Sequence, residues 1–398
     1  MRITESLNQS QFLASIQALE SSISQTQNQI SSNESFTTAA QNPIGAGEVN
    51  DYNQTLAQSQ QYETNANSAK TNLSTEDTAL SSVQTTLQSL RDLALEATSG
   101  TESSSNLSAI ATQATQIQAS LLSLANTQNG NGEYIFGGYA AQTQPFTLTA
   151  TGATYNGDDG QRQIQIAAGQ TVADGDNGNA VFNQIPTGNG TFAVTAGTAN
   201  TGTGIIGATT VSDPAAYDGK AFSIVFTSPT AYNIENADGT VATTGTYTSG
   251  GTIAYDGTQV TLTGAPAATD TFDVTPSTKQ SLFTTVQNLV TALQQGVGGT
   301  NGQVNLSNSV TTAINNIDQA LNQASNVQSS VGGRLNTITT QLSVAGSTQV
   351  QLQSSISSLQ GLDYASAITN LDQQNTTLSA ALQAYTITQG LSLFKYLS

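Results

Sequence analysis

Val310-Thr-Thr-Ala-Ile314-Asn-Asn-Ile317-Asp-Gln-Ala-Leu321-Asn-Gln-Ala324 returns its apolar residues every seven places, in two rows three or four residues apart. The first row continues through Val331, Ile338, Ala345, Leu352 and Leu359, and the second through Leu335, Leu342 and Ile356. That spacing lays both rows on one stripe of a helix, so the sequence predicts a helix of about fifty residues with a seam for another helix. Gln328 and Gln349 interrupt the second row, and Gly332-Gly333 sits inside the helix. Each glycine there costs about 1 kcal/mol, which a close helix approach would offset.

Working toward the C-terminus, the phase slips near Gly361-Leu362-Asp363-Tyr364, because Leu359 and Leu371 are not a multiple of seven apart. A break is expected there. The pattern resumes as Leu371, Leu378 and Tyr385 with Ile368 and Leu382, and closes on Leu391, Leu393, Phe394 and Leu397. Working toward the N-terminus, Pro276-Ser-Thr-Lys-Gln280 reads as a capping box ahead of Leu282, Phe283, Val286, Leu289, Val290 and Leu293.

The other end of the chain has the same grammar. Leu73, Leu80 and Leu87 form one row from Glu48 to Thr98, with Val83, Leu90 and Ala97 as its companion. Ser99-Gly100 supplies a stop, and a second helix carries Leu107, Ala114, Leu121 and Ile110, Ile117, Leu124 up to Asn129-Gly130-Asn131-Gly132. Between Tyr134 and Thr275 short alternating runs such as Phe222-Ser-Ile-Val-Phe226 and Thr258-Gln-Val-Thr-Leu-Thr263 lie between Asp-Gly and Asn-Gly turns, which predicts β-hairpins. The stretch from Thr191 to Thr210 reads as partly loop.

Each apolar stripe needs a partner, and the opposite terminal region offers one of matching length. The expected fold is therefore α+β: a long-helix coiled coil or bundle formed jointly by the N- and C-terminal regions, with an inserted β-rich domain. Its expected parts are an N-terminal assembly segment (1–47), the first half of a helical core (48–135), the β-rich outer domain (136–276), the second half of the core (277–360) and a C-terminal assembly helix (361–398).

Composition limits the function. The 398 residues carry only 9% charged side chains, a net charge of -18, no Cys and no His. Without Cys there is neither a disulfide nor a thiolate metal site, and without His the commonest general base and metal ligand are missing. Eight basic residues scattered along the chain form no cluster for a phosphate backbone, so nucleic acid is not an expected partner. No apolar run approaches the roughly 18 residues of a bilayer span, and the start, with Glu5 and several amides, is not expected to be a cleavable signal peptide. Surfaces of amides and hydroxyls with few charges let like subunits approach closely.

Three local motifs have plain readings. Gly202-Thr-Gly204-Ile-Ile-Gly207 has the glycine spacing of a dinucleotide turn, but Pro214 and the lack of helical periodicity after it favour a flexible loop. Asp174-Gly-Asp176-Asn-Gly178 lacks the glycine and glutamate of a calcium loop and reads as a turn. Asp158-Asp159 reads as a solvated hairpin tip. Neither a catalytic residue nor a cofactor or metal site is expected. The sharper expectation concerns the ends, where Leu7, Ile16, Leu19, Ile23 and Ile30, and Ile368, Leu371, Leu378, Leu382, Tyr385, Leu391, Leu393 and Phe394, form apolar stripes with few charges. They are read as an assembly interface, mobile in the monomer and ordered on assembly.

Several segments resemble the flagellin family. They are Met1-Arg2-Ile3-Thr4, Asn42-Pro43-Ile44-Gly45-Ala46, Arg91 to Gly100, Asn131-Gly-Glu-Tyr-Ile-Phe-Gly-Gly-Tyr139, Val331-Gly-Gly-Arg-Leu-Asn336, Leu362-Asp-Tyr-Ala365 and Gln389-Gly-Leu-Ser-Leu-Phe394. The opening residues and the last segment are similar to the members that join hook to filament rather than to filament subunits. Where the family has a Gly-Lys/Arg step and an Asp pair, this chain reads Ser31 to Asn42 without them, so those ion pairs do not carry over. The resemblance implies a secreted, extracellular structural adaptor in the bacterial flagellum, exported by the type III route. It would form a ring with copies of itself, between the first hook-associated protein and flagellin, after release from an export chaperone. The alternatives are a filament flagellin, or an adhesive module in which the β-rich part acts and the helices form a stalk.

Overall fold

The computed structural model describes residues 2–98, 103–296, 298 and 302–390. The helices are α1 (Arg2–Ser32), α2 (Pro43–Ala97), α3 (Ser104–Ala125), α4 (Leu282–Gln295), α5 (Gly302–Gln360) and α6 (Tyr364–Gly390). Between α3 and α4 lie fourteen strands: β1 (Phe146–Thr149), β2 (Gly152–Tyr155), β3 (Gln163–Ala167), β4 (Gln170–Ala173), β5 (Ile185–Pro186), β6 (Phe192–Ala196), β7 (Ile205–Val211), β8 (Phe222–Ser228), β9 (Ala231–Asn236), β10 (Val241–Thr246), β11 (Thr252–Tyr255), β12 (Thr258–Thr263), β13 (Thr271–Pro276) and β14 (Lys279–Gln280). The architecture is α+β, with long helices from both terminal regions and an antiparallel β-rich middle. Among the described residues no helix is long and apolar enough to cross a membrane.

The chain divides into two compact units, Met1–Thr64 with Gln341–Ser398, and Asn65–Thr340. In the second unit the predicted rows are core. Leu73, Leu80, Val83, Leu87, Leu90 and Ala97 of α2 are buried, as are Val310, Ile317, Ala324, Val331 and Ile338 of α5. Gln328 interrupts the apolar row for a reason the row itself hides: its amide donates to Asp77 Oδ1 (3.0 Å) and accepts from Gln84 Nε2 (2.8 Å), both on α2. Gly332 and Gly333 have nothing within 4 Å of where a Cβ would stand, so no close helix approach within the chain accounts for them.

α3 and α4 pack side by side, joined by Gln118 Nε2 donating to Gln287 Oε1 at 3.2 Å. α4 starts later than the expected capping box. Ser277 and Gln280 lie in the extended segment around β14, and Ser281 is the N-cap, its Oγ accepting from Phe283 N–H at 3.3 Å. Phe146 is the hub of an aromatic cluster under these helices, touching Tyr155, Phe182 and Phe283, and Phe136 meets Phe182 edge-on. Gly138 has φ +66°, and a Cβ there would run into the Asp158 carbonyl, which is why the Gly-aromatic run at 136–139 needs its glycine. Asp158 is more than a solvated tip: Oδ1 accepts from Tyr139 N–H (3.0 Å) and Gly160 N–H (2.7 Å) and fixes that turn.

Two sheets, ordered β10-β9-β8-β13-β6 and β11-β12-β7, supply one core that includes Phe192, Ile206, Phe226, Leu262 and Phe272. The run Gly202–Gly207 is not a flexible loop throughout. Ile205 begins β7, and the first two glycines are required by close packing: a Cβ on Gly202 would meet the Ala267 main chain, and one on Gly204 would stand 2.7 Å from the Phe272 ring. Asn308 of α5 then pairs with this segment as a strand would, its Oδ1 accepting from Ile206 N–H (2.8 Å) and its Nδ2 donating to the Gly204 carbonyl (3.0 Å). A helix side chain thereby satisfies buried main-chain groups that have no strand partner.

Candidate assembly interface

In the first unit α1 and α6 run antiparallel. Gln9 Nε2 donates to the Tyr385 hydroxyl (3.1 Å), Gln374 bonds Ser22 (2.9 Å) and Thr26 (3.2 Å), and the Tyr364 hydroxyl donates to the Ile30 carbonyl (3.2 Å). Phe12 stacks on Tyr385. The covered positions of α1 include 12, 16, 19, 23, 26 and 30, with 22 and 29 beside them, and those of α6 are 367, 371, 374, 378, 381 and 385. The row 12 to 30 of α1 and the α6 set each step alternately by three and four, the spacing of a coiled-coil seam.

Of the residues expected at the interface, Ile16 and Ile23 are buried in that seam, and Leu19, Ile30, Leu371, Leu378 and Tyr385 are half-buried along it. Leu7, Ile368 and Leu382 are exposed at 55%, 49% and 45%. The companion row of α6 is therefore Ala367, Gln374 and Ala381, one place before the Ile368 and Leu382 row that hydrophobicity alone selects. The reason is the polar bonding of Gln374 to Ser22 and Thr26, which turns that face of α6 inward. Leu391, Leu393 and Phe394 lie outside the described residues.

Other exposed apolar side chains join Leu7, Ile368 and Leu382 in this unit. They are Leu13, Ile44, Val344, Val350, Tyr364 and Ile387, with Ile44 at 78% and Val350 at 71%. Most of the exposed large apolar side chains among the described residues thus fall in the unit that holds both chain ends. Reading single rows missed these; a search for apolar residues one place off each seam would have found Leu13. The break between α5 and α6 is well anchored. Glu34 and Gly361 form a β-bridge, Phe36, Val49 and Ile356 pack together beside it, and Asp363 Oδ1 accepts from Ala365 N–H (3.1 Å) at the start of α6. Gln349, the other interruption of the α5 row, donates to Glu63 Oε2 of α2 at 2.8 Å.

Two family models match the chain at its two helical ends: the bacterial flagellin N-terminal helical region over residues 3–141 and the bacterial flagellin C-terminal helical region over residues 314–397. The chain belongs to the flagellin family. Neither flagellin model takes in residues 142–313, where the fourteen strands lie.

Within the flagellin family the chain is similar to flagellar hook-associated protein 3 of Salmonella typhimurium, 29% identical over 185 residues, and to that of Escherichia coli, 29% identical over 157 residues. Those alignments take in 46% and 39% of this chain and 58% and 49% of the relatives, so the chain spans about half the length of the curated relatives it matches. Among solved structures, FlgL of Xanthomonas campestris superposes with a TM-score of 0.73 at 28% identity, covering 77% of this chain and 99% of its own. Flagellar hook associated protein-3 of Legionella pneumophila gives 0.74 at 27% identity, covering 78% and 98%.

Proposed function

We propose that this chain is a structural adaptor that joins the bacterial flagellar hook to the filament by packing helices in a ring, and that it performs no catalysis. Its relatives carry the name of hook-associated protein 3, and a second Legionella pneumophila structure, 28% identical, is titled a flagellar junction protein. One observation carries the reading: the exposed apolar side chains gather in the unit formed by both chain ends, on α1 and α6 outside their mutual seam and on the parts of α2 and α5 that belong to the same unit. A face of this kind in a chain with few charges is suited to burial against further subunits.

On this reading residues 1–47 and 361–398 assemble, 48–135 and 277–360 form the core that holds them, and 136–276 stands outside. Leu7, Ile368 and Leu382 meet neighbouring subunits directly. The seam residues Ile16, Leu19, Ile23, Ile30, Leu371, Leu378 and Tyr385 hold α1 and α6 in the geometry that presents them. The partners are further copies, the first hook-associated protein on one side, flagellin on the other, and an export chaperone before secretion. Deleting the gene should leave cells with hooks but without filaments, shedding flagellin into the medium. Hooks with intact junctions and altered filaments would make the chain a filament subunit instead.

A further inference from the structure

Glu76 occupies a position in the core row of α2 that otherwise reads Ala69, Val83, Leu90 and Ala97. It is fully buried, and neither of its carboxylate oxygens has a hydrogen-bond partner. Every other residue in that row is apolar, so the glutamate interrupts a stripe whose purpose is to exclude water. An ionised carboxylate in such a place is among the most costly groups a core can hold.

Two charged groups face it. The segment after β4 lies against it, since a Cβ on Gly175 would stand 3.8 Å from Glu76 Oε2, and the next residue, Asp176, is paired with Arg334 of α5. Arg334 also donates to the Ala173 carbonyl at 3.4 Å. Around them, Arg162 binds Asp174 at 2.6 Å and reaches Glu133 at 3.9 Å, while Asn72, one helical turn before Glu76, donates to Asp174 at 3.1 Å. Both arginines are thus committed to other carboxylates. Among the described residues no group of three acidic side chains is arranged to hold a metal ion.

We propose that Glu76 carries a proton, and that this proton is a latch: as a carboxylic acid Glu76 donates to Asp176 and seals residues 173–178 between α2 and α5, and loss of the proton to solvent releases them. The proton supplies the one donor the pair lacks, since two ionised carboxylates cannot bond each other and a neutral acid can. The latch ties together three parts of the chain far apart in sequence: α2, the segment after β4 and α5. Burial first, and the negative charge of Asp176 second, hold the Glu76 carboxyl well above the ordinary carboxylate value, while Arg334 pulls the other way. The folded state therefore binds a proton that the unfolded chain has already lost. Its stabilisation is full below the ordinary carboxylate value and falls as pH rises from there through the raised folded value.

Denaturant unfolding of the full chain between about pH 4 and about pH 9 tests this, and each pH unit between the ordinary carboxylate value and the raised one gives about a tenfold loss of the folding constant. Glu76→Gln keeps the donor without the titration, so its folding constant should stay level where that of the parent falls. An equal slope in the two proteins overturns the latch. Should Glu76→Gln fail to fold, infrared spectra of the parent protein labelled only at glutamate decide the matter. A protonated glutamic acid carbonyl at neutral pH that disappears toward alkaline pH is the expected result, and glutamates all ionised at neutral pH overturn the proposal.

Discussion

The ring of Phe12 lies flat on that of Tyr385, with centroids 4.9 Å apart and planes 7° from parallel, and this contact joins α1 to α6 near the two ends of the chain. The Tyr385 hydroxyl also accepts from Gln9 Nε2, so the ring is held by stacking and by a hydrogen bond together. Stacked aromatic pairs contribute about 0.5–1.5 kcal/mol beyond the area they bury. Phe12→Ala should therefore open the outer turns of the α1–α6 pair. Hydrogen exchange should rise at residues 6–15 and 380–387, while the main thermal transition, set by the buried core of the other unit, stays within a degree or two. Unchanged protection at those residues would show that other contacts hold the pair.

Leu382 and Ile368 stand off the α1–α6 seam, so a charge at either leaves that seam untouched. Leu382→Asp and Ile368→Asp are expected to match the parent in circular dichroism and melting, and to fail in assembling, because the carboxylate would be desolvated against a neighbouring subunit. Leu378→Asp is a poorer probe, since Leu378 is half-buried against α1 and its substitution loosens the monomer as well. Electron microscopy of cells carrying each variant reads the outcome. Normal filaments on cells with Leu382→Asp would remove that face of α6 from the interface.

The long seams were legible because an apolar residue every seven places has few other uses: Leu73, Leu80 and Leu87 of α2, and Val310, Ile317 and Val331 of α5, are buried where the period puts them. What the period hid was polar. Gln374 and Thr26 lie inside a seam, Gln328 and Gln349 bridge helices, and Glu76 is in the core, yet a count of apolar residues scores all of them as interruptions. The same blindness placed Ile368 and Leu382 in the seam. The Asp174–Gly178 turn was visible as a turn, but its ion pairs reach to Arg162 and to Arg334, partners no local motif can indicate. The glycines at 202 and 204 read in sequence as a flexible loop, and only the fold shows that close packing against Ala267 and Phe272 requires them.

Asn308 is the residue whose loss should most damage the join between α5 and the β-rich region. It is 5% exposed and serves both the N–H of Ile206 and the carbonyl of Gly204. Asn308→Leu, close in size, leaves both main-chain groups buried and unpaired, at about 1–3 kcal/mol each. Asn308→Asp restores the acceptor for Ile206, but as a carboxylate it sets a buried charge against the Gly204 carbonyl and only as the neutral acid can it donate there, so its loss should be greater at neutral than at acid pH. Denaturant midpoints of the three proteins measure this. A leucine variant as stable as the parent would mean that water reaches both groups.

Gly332 and Gly333 lie mid-helix in α5 with open space where each Cβ would stand. Nothing in the folded chain opposes a methyl group at either position, so Gly332→Ala and Gly333→Ala should each stabilise the monomer by about 1 kcal/mol through helix propensity and reduced freedom of the unfolded chain. Denaturant unfolding reads that gain directly. Assembly is the second measurement, and it separates two explanations of the pair. If the alanine variants are more stable and still assemble, the glycines serve no packing contact; if they are more stable and assembly fails, the open space beside α5 is where another subunit comes close. A loss of monomer stability would instead show that the helix departs from regular geometry at this pair, and that the glycines are there to permit it.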